Sequence, residues 1–173
     1  GEPGKLESFD PYTIHEASGH RLSDLIFDSL LEVGPGGKYV PSLAKSWEIS
    51  KDKTKVVFDL NEGIKWHSKD KTHNFGPDDV ITTLKILKNS KSEIPNKDRF
   101  SAISRVERIG KNRISIMFSR AIIDPLGLMT FKVLPAHEFR GEKYLAKTSK
   151  FVKSPVGTGP YKFSKSNEQG EVF

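Results

Sequence analysis

The sequence predicts an α+β fold, in which helices and β-hairpins follow one another without the regular βαβ alternation of a parallel sheet. Apolar residues recur at helical spacing over residues 18–31. Residues 54–60 alternate between apolar and polar side chains, as does a strand with one buried face. Residues 106–109 and 113–118 are two further predicted strands, and the Gly-Lys-Asn turn between them indicates a hairpin.

The composition is that of a globular chain of ordinary domain size. Of the 173 residues, 35% are hydrophobic and 29% charged, which is enough to bury a core. The lack of cysteine excludes disulfides, thiolate metal sites and a cysteine nucleophile. The sequence has no run of about 18 apolar residues, so it predicts no segment that spans a membrane.

The net charge of +6 raises the question of nucleic-acid binding. Lysines and arginines are spread along the chain and mixed with acids, however, which favours a solvated surface over a nucleic-acid site. The densest basic stretch has the spacing of an exposed helix face. It comprises Arg140, Lys143, Lys147, Lys150 and Lys153.

The first predicted helix covers residues 18–31, with Ser18 as its N-cap. Gly-Pro-Gly-Gly at 34–37 requires a turn, so residues 31–33 and 38–40 are predicted to pair as a short hairpin. Residues 41–47 are predicted to form one helical turn that begins at Pro41. The apolar stripe of the helix contains Leu22, Leu25, Ile26, Phe27 and Leu30.

The middle of the chain contains the strand at 54–60, a shorter predicted strand at 64–67 and a polar loop at 67–74. A helix is predicted to begin at Pro77, because Asp78 and Asp79 complement the positive end of the helix dipole. Its predicted buried residues are Val80, Ile81, Leu84 and Leu87. The aromatic residues predicted to fill the core are Trp47, Phe58, Trp66 and Phe118.

The last third is less regular. Residues 124–130 and 134–139 are predicted to form short helices. Residues 156–161 form a Gly- and Pro-rich turn that is predicted to lead into a strand at 161–163.

Seven short blocks, in order along the chain, resemble the extracellular solute-binding protein family 5, which contains oligopeptide-, dipeptide- and nickel-binding proteins of ABC transporters. Residues 40–50, VPSLAKSWEIS, resemble the family's pattern vPsLAeSWeis almost throughout. Asn61 departs from the family's usual Arg, and a longer polar loop at 68–74 replaces the family's short turn. The other six blocks are residues 8–11, 24–31, 57–67, 75–80, 133–137 and 155–161.

This resemblance implies a domain organisation. The family's chains form a periplasmic-binding-protein type II clamshell of two lobes with an appended α+β domain. Residues 32–154 would form that appended domain, residues 1–31 would be a partial segment of the first lobe, and residues 155–173 would return into it. The second lobe is expected to be absent from this sequence, which would make the chain an N-terminal fragment.

The resemblance also implies where a ligand would bind. The loop formed by His15, Glu16, Ala17 and Ser18 falls where the family offers backbone groups to its ligand. The alternative for this loop is a simple cap on the following helix, and a surface role for the Glu16 carboxylate. The turn containing Gly157, Thr158, Gly159 and Tyr161 is the second candidate, with a tight structural turn as its alternative. It is not a phosphate loop, because no Gly-Lys-Ser/Thr follows it.

No cofactor, metal or catalytic centre is predicted. His15 and His20 are five residues apart and His67 and His73 are six apart, whereas a helical metal pair needs three or four. Neither a nucleophile elbow nor a His-Glu-x-x-His motif is present.

The function that the resemblance implies is the capture of peptides, or a related small solute, for delivery to the membrane permease of an ABC importer. The protein would be monomeric and periplasmic or extracellular, with a possible lipid anchor, and would not bind nucleic acid. A non-transport peptide receptor or sensor, a nickel-binding member and a basic nucleic-acid-binding domain are the alternatives.

Overall fold

The computed structural model describes residues 11–12, 17–68, 71–141 and 149–164; of residues 17–19 it describes the backbone alone. None of the helices in these ranges is long and apolar enough to cross a membrane. The helices are α1 (Ala17–Ile26), α2 (Pro77–Lys88) and α3 (Lys150–Lys153), and the strands are β1 (Leu31–Val33), β2 (Tyr39–Pro41), β3 (Ala44–Ile49), β4 (Lys55–Leu60), β5 (Ile103–Gly110) and β6 (Arg113–Phe118).

The main sheet is antiparallel and has the order β3-β4-β6-β5. Strand β4 confirms the alternating pattern of its sequence, since Val56, Phe58 and Leu60 are fully buried on one face. Opposite Phe58 lies Ile114 of β6, so the two central strands bury apolar pairs together. The β5-β6 hairpin is confirmed, with β5 longer than predicted. The α+β class is likewise confirmed.

The short hairpin is confirmed as β1 and β2, which pair with Glu32 opposite Val40. Its turn needs glycine at Gly36 and Gly37, whose φ angles are 69° and 74°. Helix α2 is confirmed as well. One of its predicted buried residues is wrong: Ile81 is only half-buried, and Ile86 packs in the core instead.

The helical turn predicted at 41–47 is wrong. Ala44 begins β3, and the amides of Leu43 and Ala44 donate to the carbonyls of Ser29 and Leu30. These long-range hydrogen bonds outweigh the local helical signal of Pro41, because sheet pairing satisfies more backbone groups than one isolated turn does.

The first helix is shorter than predicted. It ends at Ile26, and Ser29 instead forms an isolated bridge to Lys132. Ser18 lies within α1, so its prediction as N-cap is wrong. Phe27, Leu30 and Leu31 are still buried, but they lie beyond the helix, in the segment that leads into β1.

Two predicted strands do not form. At 64–67 there is only a single bridge, between Lys65 and Asn74. Residues 161–163 form no ladder, because the Tyr161 amide donates to the Leu25 carbonyl and no neighbouring strand is present in the described residues. The described end of the polar loop after His67 returns to the domain, where the Trp66 amide donates to the His73 carbonyl at 2.9 Å.

The predicted short helices near residues 124–139 are single 3₁₀ turns, Gly127–Met129 and Ala136–Phe139. Of the four aromatic core residues, Phe58, Trp66 and Phe118 are buried, whereas Trp47 is half-buried at the edge of the cluster. A single apolar cluster joins the sheet, α2, the end of α1 and α3. The flanking segments therefore share one core with the sheet domain.

Candidate functional site

The candidate site is built on the C-terminal end of α1. The last carbonyls of a helix have no partner within the helix. Here the Ile26 carbonyl accepts from the Gly159 amide at 2.9 Å, and the Leu25 carbonyl accepts from the Tyr161 amide at 3.0 Å. The turn at 157–161 thus caps α1 from a distant part of the chain.

The turn needs glycine at two positions, because its backbone lies very close to the backbone at the end of α1. A Cβ on Gly157 would lie 1.8 Å from the Ile26 carbonyl oxygen, and a Cβ on Gly159 would lie 2.5 Å from the Leu25 carbonyl oxygen. Real Cβ atoms essentially never come within 3.0 Å of another heavy atom. Only glycine therefore lets the turn reach the end of the helix.

Two further hydrogen bonds fix the turn. The Thr158 hydroxyl donates to Asp28 Oδ2 at 2.8 Å, and the His67 amide donates to the Gly157 carbonyl at 3.0 Å. Burial and the nearby Lys162 ammonium lower the pKa of His67, against a smaller opposing effect of Asp28. The imidazole beside the turn is therefore neutral at pH 7.

The predicted ligand-binding residues fall into two groups. Gly157, Thr158, Gly159 and Tyr161 come together at the end of α1, and Tyr161 is the exposed member, with 62% of its surface accessible. Ala17 and Ser18 lie at the opposite end of the same helix, about 14 Å along its axis at 1.5 Å per residue. The structure does not bring the two groups into contact.

The prediction for His15 and Glu16 lies outside the described residues. Residues 142–148, which carry two of the five clustered basic side chains, also lie outside them. Within the described ranges, no group of three or more His, Cys, Asp or Glu side chains is placed to hold a metal ion.

Sequence reasoning missed a buried polar centre around Asp79. Its carboxylate accepts from Trp66 Nε1 at 3.2 Å, from the Gly76 amide at 2.9 Å and from the Ala136 amide at 2.7 Å. Burial raises the pKa of Asp79 although these three donors oppose the shift. A buried tryptophan needs an acceptor for its N–H, so Trp66 was a usable signal for this acid.

A stacked histidine pair was also missed. The rings of His73 and His137 lie 3.8 Å apart at an interplanar angle of 15°, and the Ser68 hydroxyl is 2.8 Å from His137 Nε2. Burial, His73 and Arg140 lower the pKa of His137 to about 4. The pair lines an open cleft of about 550 Å³.

Comparison with known protein families gives a match over most of this chain. Residues 38–172 match the family described as bacterial extracellular solute-binding proteins, family 5 Middle. This range covers most of the chain, including the four-stranded sheet, α2 and the turn that caps α1.

Several proteins are similar to the chain over nearly all its length. Di/tripeptide-binding protein 1 of Pseudomonas aeruginosa is 27% identical over 98% of the chain, and the dipeptide-binding protein of Escherichia coli is 24% identical over 98%. Among solved structures, NikZ from Campylobacter jejuni in complex with Ni(L-His) is 29% identical, with a TM-score of 0.80 over 97% of the chain and 32% of NikZ. A dipeptide-binding protein from Pseudoalteromonas in complex with Met-Leu is 25% identical, with a TM-score of 0.78 over 96% of the chain and 36% of that protein. The chain spans 35% of the length of both curated relatives.

Proposed function

Because the chain belongs to family 5 of the bacterial extracellular solute-binding proteins, we propose that the protein containing it captures peptides outside the cytoplasmic membrane and delivers them to the permease of an ABC importer. The observation that carries this proposal is the similarity, over 98% of the chain, to proteins named for binding di- and tripeptides. The family binds solutes and is not catalytic, so the protein is proposed to be a receptor and not an enzyme.

The mechanism is differential binding to two conformations. A ligand that bridges two lobes stabilises the closed form relative to the open form, and the permease recognises the closed form. The described chain would supply a rigid part of one lobe, because the turn at 157–161 fixes the end of α1. Two amides of the turn bond to the last carbonyls of the helix, and Thr158 bonds to Asp28 just beyond it. We place the moving lobe in the part of the protein that the chain does not span.

The domain boundaries that the family resemblance implies are part of the proposal. Residues 32–154 are proposed as the appended domain, with residues 1–31 and 155–173 as segments of the first lobe. The direct backbone bonds between 25–26 and 159–161 support this assignment, since they join the two flanks to each other. The flanking segments and the proposed appended domain nevertheless pack into one apolar cluster, so the proposed boundary separates them by chain connectivity and not by separate cores.

We propose that the ligand lies in a cleft along α1 and contacts residues at both ends of this helix. Ala17 and Ser18, with His15 and Glu16 before them, would offer groups at one end. The other end would offer Tyr161, which is exposed and whose amide bonds to the Leu25 carbonyl at the helix terminus. The turn would contribute by its fixed shape, because its polar groups already bond within the fold. The Gly159 amide and the Thr158 hydroxyl are hydrogen-bonded, and the backbone of Gly157 packs directly against that of Ile26.

The test is a thermal-shift screen of the full-length protein with free dipeptides and tripeptides. At a ligand concentration 100 times Kd, binding to the folded state stabilises it by about 2.7 kcal/mol, which raises Tm by several degrees. The matched control is the same peptides with an acetylated amino terminus. Shifts with the free peptides support the proposal, and the absence of a shift across a diverse set contradicts it.

A second ligand class is favoured by one observation. The neighbour in complex with Ni(L-His) is 29% identical to this chain, a value above those of the peptide-binding relatives named here. Nickel with L-histidine therefore belongs in the same screen, together with nickel alone and histidine alone. A shift that requires both components would assign the protein to a metal-chelate importer instead of a peptide importer. The protein is otherwise proposed to act as a monomer, outside the cytoplasm and without nucleic acid.

A further inference from the structure

A groove of about 380 Å³ runs between α2 and the edge strand β5, away from the turn that caps α1. Its floor is apolar and its rim is basic. Leu84 is buried, while Ile81 and Val106 are half-buried and complete the floor. The cationic side chains of the rim are Lys85, Lys88 and Arg105.

The open edge of the sheet faces this groove. Strand β5 is last in the order β3-β4-β6-β5, and no described strand pairs with its outer side. Ser104, Arg105 and Val106 all line the groove, and the register of β5 against β6 shifts between Ile103 and Arg105, which marks a bulge at Ser104. The groove therefore follows the strand's edge, where free N–H and C=O groups can pair with an added strand.

The charge of the groove is positive and largely uncompensated. None of the described residues that line it is acidic. Within the described ranges Lys85 makes no ion pair, and Lys88 donates to a neutral carbonyl, that of Ile103. Arg105 alone has a carboxylate partner, Glu107 at 2.6 Å, and both groups are substantially exposed. Charge complementarity thus favours an acidic occupant.

We propose that this groove binds an extended segment of a partner protein in which acidic and apolar side chains alternate. The segment would add to β5 as a fifth strand, a recurring mode of peptide recognition. Its apolar side chains would cover Ile81 and Val106, and its carboxylates would meet Lys85 and Arg105. This site shares no residue with the proposed peptide cleft at α1.

A nucleic acid is the poorer fit to the same positive charge. Phosphates would meet the rim, but they would leave the apolar floor and the open strand edge unused. The two occupants make different demands on the groove, because strand addition engages backbone groups of β5 whereas phosphate binding engages the cationic side chains alone.

The experiment uses the full-length protein and a blocked peptide in which Glu and Val alternate, acetylated at one end and amidated at the other. We expect saturable binding by fluorescence anisotropy and slowed amide exchange at residues 104–106. Replacing Glu with Gln in the peptide, or introducing K85E with R105E in the protein, is expected to weaken binding about tenfold, because each exposed pair contributes up to about 1 kcal/mol. The control K51E with K53E carries the same charge change on the exposed turn between β3 and β4, at the far side of the sheet, and is expected to leave binding unchanged.

Three results would overturn the proposal. The first is equal affinity for the Glu and Gln peptides, and the second is tighter binding of a single-stranded oligonucleotide than of the peptide. The third is slow exchange, in the free full-length protein, at the amides of residues 104–106 that point away from β6, which would mean that the rest of the polypeptide already covers the edge. The thermal shift with free dipeptides is measured on the K85E/R105E variant in parallel, so that failure of this proposal is separated from failure of the proposed peptide cleft.

Discussion

Gly157→Ala is the sharpest perturbation of the joint between α1 and the Gly-Thr-Gly turn. The new Cβ would lie 1.8 Å from the Ile26 carbonyl oxygen, so the two backbones would have to separate by about 1.2 Å to reach 3.0 Å. That separation breaks or weakens two hydrogen bonds, from Gly159 to Ile26 and from His67 to Gly157. Helix and turn are both buried here, so neither can give way as an exposed side chain would.

The cost follows from these contacts. Overpacking of a buried position costs about 1–3 kcal/mol, and each broken backbone hydrogen bond about 1 kcal/mol. We therefore expect Gly157→Ala to reduce the free energy of unfolding by about 3–5 kcal/mol. Gly76→Ala is the control, because no atom lies within 4 Å of its added Cβ; as the N-cap of α2 it should lose no more than about 1 kcal/mol.

Chemical denaturation of the full-length protein measures both variants, and amide exchange at His67, Gly159 and Tyr161 locates the damage. We expect faster exchange at these three amides in Gly157→Ala and unchanged exchange in Gly76→Ala. A Gly157→Ala variant within about 0.5 kcal/mol of the wild type would refute the reasoning, since that is the range of neutral surface substitutions.

Three further outcomes are expected. The pKa of His137 is about 4 in the folded protein against 6.5 unfolded, so its contribution to the free energy of unfolding is complete above pH 6.5 and is lost as the pH falls towards 4. Denaturation from pH 7 to 4 should therefore show a smaller loss of stability for His137→Phe, which keeps an aromatic ring against His73, than for the wild type. An equal loss in the two proteins would contradict this. Thr158→Val removes the hydroxyl bound to Asp28 and should cost about 1 kcal/mol in denaturation. A double-mutant cycle with Asp28→Ala, which removes the acceptor, would disprove the interaction if it gave no coupling. Tyr161→Ala should weaken peptide binding in calorimetry while leaving Tm unchanged, because the residue is 62% exposed; unchanged affinity would remove Tyr161 from the proposed ligand site.

The elements predicted correctly are those in which local pattern and long-range packing agree. The alternation that buries Phe58 has a period that only a strand satisfies, and the proline and paired acids at residues 77–79 begin a helix by local chemistry. Residues 41–47 failed for the opposite reason. Their helical signal is local, whereas Leu43 and Ala44 are held by amide bonds to residues 29 and 30, which no local pattern encodes.

The site was predicted less completely than the fold. The Gly-Thr-Gly turn was singled out, but its partner was not, because nothing near residue 157 in the sequence indicates a contact with residue 26. The same limit explains Asp79. The sequence analysis attributed this acid to the positive end of the helix dipole, whereas its carboxylate also accepts a hydrogen bond from the amide of Ala136, 57 residues away. Contacts of this length depend on the packed fold, and the sequence shows only the residue types that make them possible.

The central claim is best tested by native mass spectrometry of the full-length protein purified from its own cells without added ligand. The account predicts a bound population whose extra mass is released on denaturation as short peptides, and which free dipeptide displaces. A protein that carries only nickel and histidine, or that carries nothing and takes up no peptide when offered a diverse mixture, would contradict it.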